Sequence, residues 1–64
     1  MRIDKRKIFL IMARKNWLQK DLAEKAGMSR GNLSLVINGK NCHPKTVFKL
    51  SEALNVKPEE ILED

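Results

Sequence analysis

The chain has 64 residues, 42% of them hydrophobic and 33% charged, with only three Gly and two Pro. That mix excludes disorder, and a chain this short, which buries only about 60% of the surface it exposes when unfolded, predicts one small domain over residues 1–64. Residues 1–32 hold nine basic and three acidic side chains, a balance of +6, whereas residues 33–64 hold four basic and five acidic, a balance of −1, so a basic half on a small body points to a polyanionic partner, nucleic acid before an anionic membrane.

Helical spacing recurs along the chain, and no stretch alternates apolar and polar residues for long enough to make a strand. Asp4 is placed to cap a first helix running roughly from Lys5 to Lys15, with Ile8, Ile11 and Met12 inward. The apolar run within it, Ile8 to Ala13, is six residues, too few to span a bilayer. Nothing has the layout of a signal peptide, so the protein is expected in the cytoplasm, associated with the nucleoid. A second helix runs roughly over Gln19–Lys25, with Leu22, Ala23 and Ala26 inward, and Gly27 follows where the chain must turn. Ser29 is a good N-cap for a third helix, Arg30–Asn38, whose inward side is Leu33, Val36 and Ile37; Asn38-Gly39 ends it. Pro44 suits the first position of a fourth helix ending near Leu54, with Val47, Leu50 and Leu54 inward, His43 as its N-cap and Asn55 as its terminator. Pro58 opens a short fifth helix with Glu59 and Glu60 in its first turn. The expected fold is all-α, five short helices with tight connections.

The two helices joined by Gly27-Met28-Ser29 form the tightest unit. Ala23, four residues before Gly27, faces the point where the next helix crosses, and its small side chain lets the two axes approach closely. A short scaffold helix, a glycine turn and a second helix presented outward is the residue logic of a DNA-binding helix-turn-helix. Gln19-Lys20-Asp21-Leu22-Ala23-Glu24-Lys25-Ala26-Gly27-Met28-Ser29, then Leu33-Ser34, Ile37-Asn38-Gly39-Lys40 and Pro44-Lys45-Thr46 through Ala53-Leu54 resembles the Cro and phage-repressor-like (Xre-type) helix-turn-helix regulators, over residues 8 to 62. The resemblance implies a lambda-repressor-like DNA-binding domain, with its helix-turn-helix over about 19–25 and 30–38.

Three departures from the family stand out. Leu18 occupies the position where the family usually has Ser or Thr, so the second helix lacks that cap and is expected to fray at its start. The loop before Pro44 is shorter than usual, which leaves the register of Asn41 open. Many relatives carry an Arg in the first helix and a Glu late in the third that meet as a partly buried ion pair; the matching positions here are Met12 and Ile37. Losing one partner would strand a buried charge, whereas losing both can be neutral or stabilising, so the double replacement implies that the two positions touch.

On the third helix, the face opposite the core stripe collects Arg30, Gly31, Asn32, Ser34 and Leu35, and the N-terminal end of this helix is the part that enters the major groove in this motif. Arg30 can donate two parallel hydrogen bonds to guanine O6 and N7; its plain alternative is a solvated arginine or a phosphate contact. Leu35 is apolar yet off the core stripe, suited to a thymine methyl or simply an exposed leucine. Gly31 costs helix stability and lets the helix sit close to DNA, or is a neutral surface position. Ser34 and Asn32 can reach a base edge, or serve only as surface side chains. Phosphate contacts are expected from Gln19, which resembles the family's backbone-clamping glutamine, from Ser29, and from Asn38, Lys40 and Asn41, which resemble a second clamp. The basic run Arg2, Lys5, Arg6 and Lys7 reads as solvated charge more than as a DNA arm, and Trp17 as a lid on the core rather than a base-stacking platform.

These residues predict a sequence-specific double-stranded DNA-binding transcription regulator, a repressor acting as a homodimer on a (pseudo)palindromic operator whose half-sites lie about one helical turn apart. The resemblance places the dimer contact at residues 54–62; Phe9 and Leu10, apolar on a helix whose core stripe is already filled, are a second candidate. An antitoxin or antirepressor role, with the same fold also holding a protein partner, is an alternative within DNA binding, and a pure protein-interaction module is an alternative outside it. With one cysteine, Cys42, and one histidine, His43, there is no disulfide and no spaced set of metal ligands. No nucleophile–base pair, carboxylate pair or phosphate loop is present either, so the chain is not expected to be an enzyme and no cofactor, metal or small-molecule ligand is expected. No helix pairs a broad aromatic-apolar face with a lysine-rich one, so membrane binding is not expected.

Overall fold

In the computed structural model of residues 1–64, four α-helices follow one another, α1 (Lys5–Arg14), α2 (Gln19–Ala26), α3 (Arg30–Ile37) and α4 (Pro44–Leu54), before one turn of 3-10 helix at Pro58–Glu60. Three helices start on side chains that the sequence marks out. The Asp4 carboxylate accepts from the Lys7 N–H at 3.1 Å, the Ser29 hydroxyl from the Asn32 N–H at 3.1 Å, and the His43 ring Nδ1 from the Lys45 N–H at 3.1 Å, just ahead of Pro44. At α2, Leu18 has no oxygen to offer, but the Asp21 carboxylate reaches back and accepts from the Leu18 N–H at 2.8 Å. That is the reciprocal half of a capping box, so the predicted fraying at this end is countered from inside the helix.

All four α-helices end in the same way. Asn16, Gly27, Gly39 and Asn55 take positive φ, at 57°, 68°, 102° and 58°. The following residue then donates its N–H back to a carbonyl in the last turn: Trp17 to Met12 at 2.9 Å, Met28 to Ala23 at 2.9 Å, Lys40 to Leu35 at 3.1 Å and Val56 to Ser51 at 2.9 Å. This closes carbonyls that a helix end otherwise leaves open. Trp17, Met28 and Val56 then pack half-buried against the core; Trp17 is the lid the sequence suggests, with the Lys15 ammonium 5.3 Å above its ring.

The stripes predicted for the four helices form one core: Ile8, Ile11, Met12, Leu22, Ala23, Leu33, Val36, Ile37, Val47, Leu50 and Leu54 are all buried, and Ala26 is half-buried. Ser51 joins them, its hydroxyl satisfied by donating to the Phe48 carbonyl at 3.0 Å. Ile3 and Ile61, in neither predicted stripe, are also fully buried, because the two ends of the chain lie side by side. Ile3 and Leu62 make an isolated antiparallel bridge, the Asp4 N–H donates to the Ile61 carbonyl at 2.8 Å, and the Glu63 N–H donates to the Arg2 carbonyl at 3.1 Å. Lys7 fastens this pairing, its ammonium donating to the Leu62 carbonyl at 2.9 Å and meeting the Asp64 carboxylate at 3.1 Å.

The short fifth helix is present as a single 3-10 turn. Pro58 does open it, and the Glu60 carboxylate accepts from the Lys57 N–H at 2.7 Å. Ile61 then leaves helical geometry, at φ −122°, to insert fully into the core. Three boundaries shift as well: α1 stops at Arg14 with Lys15 as its C-cap, α2 includes Ala26, and α3 stops at Ile37 with Asn38 as its C-cap. No helix is long and apolar enough to cross a membrane.

Candidate nucleic-acid interface

The site is built from the α2–turn–α3 unit outward. Ala23 is 2% exposed where α2 meets α3, and Gly27 turns the chain with a left-handed φ that a side chain would strain. With Leu33, Val36 and Ile37 locked in the core, helical geometry turns the rest of α3 outward. Arg30, Gly31, Asn32 and Leu35 are exposed, Leu35 at 51%, and Ser34 is half-buried. No side chain of Arg30 or Asn32 is hydrogen-bonded within the chain, and α3 carries no acidic residue. The chain's one ion pair is Lys7–Asp64, so the Arg30 guanidinium has no carboxylate within contact. A Cβ built on Gly31 would meet nothing within 4 Å. No neighbour in the protein demands glycine there, and its cost to the helix has no internal cause.

The candidate phosphate contacts lie at the ends of the same two helices. Gln19 is the first residue of α2 and half-buried; Ser29, exposed, caps α3 and keeps its hydroxyl hydrogen free to donate. At the other end of α3 the structure draws α1 against the C-cap of α3. The Asn38 amide nitrogen donates to the Ser34 carbonyl at 2.8 Å and reaches its hydroxyl at 3.4 Å, while the Asn38 amide oxygen accepts from the Lys5 ammonium at 3.0 Å. Lys5 also stands 5.8 Å from the Phe9 ring centroid. Lys40 follows, exposed, and the Asn41 amide oxygen accepts from the N-terminal ammonium at 3.3 Å, leaving its NH₂ free.

Lys5 is the residue that sequence reasoning left among solvated charges. One of the three ammonium hydrogens is used on Asn38, so two remain to donate outward beside a helix C-terminus that favours a cation. A separation of 33 residues hides this contact from any local pattern. Lys7, from the same run, is drawn away to the chain ends. Cys42 is half-buried next to the N-terminus, where the Cys42 N–H donates to the Met1 carbonyl at 2.8 Å. Burial pushes its thiol above the ordinary value, partly offset by the nearby N-terminal ammonium. No group of three His, Cys, Asp or Glu stands together to hold a metal ion.

The helix-turn-helix family model matches residues 9–61, most of the chain. No curated protein matches. Among solved structures, native PhpD with cadmium atoms superimposes with a TM-score of 0.84 at 28% identity, and PhpD with cadmium complexed with hydroethylphosphonate with a TM-score of 0.83 at 28% identity. Each likeness covers 100% of this chain but only 14% of that one, so this fold is a small part of a much longer protein there. With the turn, the buried Ala23 and the outward-facing α3 in place over the matched residues, the chain belongs to the Cro and phage-repressor-like (Xre-type) helix-turn-helix family of DNA-binding transcription regulators.

Proposed function

We propose that this protein reads a specific double-stranded DNA sequence with α3 in the major groove, as a symmetric dimer on a (pseudo)palindromic operator, and represses from it. The observation that carries this reading is the outward face of α3, where Arg30 and Asn32 are exposed, unpaired within the chain and free of any neighbouring acid on the helix. Arg30 reads guanine through O6 and N7, Leu35 packs on a thymine methyl, Asn32 and Ser34 reach base edges, and Gly31 lets the backbone come close. Gln19 and Ser29 hold one phosphate stretch, and Asn38, Lys40 and Asn41 hold another, with Lys5 added to this second group. Occupancy of the operator blocks other proteins by itself, so repression is the output that needs no further contact. The domain occupies residues 1–64.

The test is in-vitro selection on a randomised duplex library at about 150 mM salt, where nonspecific phosphate binding is already weakened. The expected result is an inverted repeat with guanine at a fixed place in each half. Arg30→Ala then costs about 1–3 kcal/mol and relaxes the preference at that place alone. A non-palindromic half-site would overturn the symmetric dimer. No enrichment would overturn specific reading and put a protein partner, of antitoxin or antirepressor kind, in its place.

A further inference from the structure

At about 3.6 residues per turn, α1 has two edges on either side of its buried stripe of Ile8, Ile11 and Met12. Lys5 and Phe9 form one edge, and Lys5 is occupied by Asn38 at the end of α3. Lys7, Leu10 and Arg14 form the other. There, with Ile11 and with Glu59 and Glu60 of the 3-10 turn, they line an open groove of about 280 Å³. This is below the size of a typical ligand pocket and suited to a few side chains of another protein. Leu10 is 57% exposed and Ile11 9%.

We propose that this groove is the surface through which two copies of the chain pair, on a twofold axis beside Leu10, with Arg14 of each copy facing Glu59 of the other. The inference rests on the dimer reading above and assigns its interface. A twofold interface uses one patch twice, so the patch must be complementary to itself. This groove meets that condition: its lining combines a cation of α1, an anion of the 3-10 turn and an exposed leucine, and within the chain these charges do not pair with each other. Lys7 is committed to Asp64 and the Leu62 carbonyl, and Glu60 to the Lys57 N–H, which leaves Arg14 and Glu59 free. Over residues 54–62, Leu54 and Ile61 are fully buried and Val56 and Leu62 are half-buried against the core. What that segment offers a partner is therefore its acids rather than an apolar face.

Spacing on DNA points to the same edge. The Cα trace spans 25 × 21 × 18 Å, so two copies side by side across either of the shorter axes have centres closer than the roughly 34–36 Å between half-sites. The two reading helices must then lie outboard of the centres, with the contact on the side away from α3. The Leu10–Arg14 edge of α1 faces away from the Lys5–Asn38 edge that touches the end of α3.

The experiment is sedimentation velocity from micromolar to millimolar protein, on the wild type, Arg14→Glu, Glu59→Arg and the double variant, with the number of copies on the selected site counted in parallel. All substituted positions are exposed, and circular dichroism melts check that each variant is folded. The wild type self-associates; each single reversal weakens association about tenfold or more, because like charges then face each other. Arg14→Glu/Glu59→Arg regains it, since the swapped charges again oppose across the axis. Leu10→Ser also weakens pairing without changing charge. If the wild type dimerises and the single reversals leave its constant unchanged, or the double variant fails to regain it, the groove is not the interface and the dimer uses another face. A wild type that stays monomeric throughout and binds its site as one copy overturns the dimer reading, and this assignment with it.

Discussion

Met12→Arg tests the packing of α1 against α3 directly. Met12 is 4% exposed and Ile37 1% exposed, and both belong to the same core, which holds no carboxylate. A guanidinium at position 12 therefore has no partner, and an uncompensated buried charge costs about 3–5 kcal/mol. The long arginine stem can carry part of the charge toward the rim of α1, which places the expected loss at about 3 kcal/mol. A 64-residue domain has a total stability of roughly 3–10 kcal/mol, so this one change removes a large share of it. The matching fall in melting temperature is about 12–24 °C. Ile37→Glu alone behaves similarly. If the two side chains meet, Met12→Arg/Ile37→Glu loses less than the sum of the singles by about 1–3 kcal/mol. Urea and thermal melts of the four proteins, followed by far-ultraviolet circular dichroism, measure the cycle. A single variant melting like the wild type would show that position 12 is not enclosed, and additivity within about 0.5 kcal/mol would show that the two side chains do not touch.

Ile3→Ala removes a side chain that is 1% exposed and costs about 2–4 kcal/mol, read as a lower urea midpoint; an unchanged midpoint would mean that the paired ends contribute nothing to the core. Lys5→Ala lowers the slope of log affinity against log salt by about one per copy and leaves the base preference intact, as measured by fluorescence anisotropy on the selected site. The same slope in both proteins would remove Lys5 from the phosphate contacts. Because burial raises the Cys42 thiol above its ordinary value, the stability gained by keeping it protonated is fully present below the unfolded value and is lost as pH rises past it. Its alkylation by iodoacetamide accordingly has a pH profile displaced upward from that of free cysteine, and a coincident profile refutes this.

What is legible in the sequence is what local chemistry decides. Asp4, Ser29 and His43 cap helices because their acceptor atoms reach an N–H two or three residues away, and Gly27 and Asn55 end helices because a left-handed residue is needed there. The outward set on α3 follows from its core stripe, since fixing Leu33, Val36 and Ile37 fixes which positions are left over. Asn16 does the same work as Asn55 but sits between Lys15 and Trp17 with no apolar periodicity resuming at once, so nothing nearby marks it. Pro58, Glu59 and Glu60 signal a helix start, and only the distant demand of the core for Ile61 shows why it stops after one turn. Ile3 and Lys5 have their partners at positions 61–62 and 38. Such contacts are made by the fold as a whole, and a pattern read over a few residues does not contain them.

The pairing of the two chain ends also sets how this fold can be used. Asp4 and Ile61 are joined by a 2.8 Å hydrogen bond, so the polypeptide comes in and goes out at nearly the same point on the surface. A unit of this form can be spliced into a surface loop of a host protein without stretching the loop, and its own core closes independently of the host. The same geometry admits circular permutation: a short linker joining the ends, with new termini opened in an exposed connection such as that between α3 and α4, leaves all four helices in place.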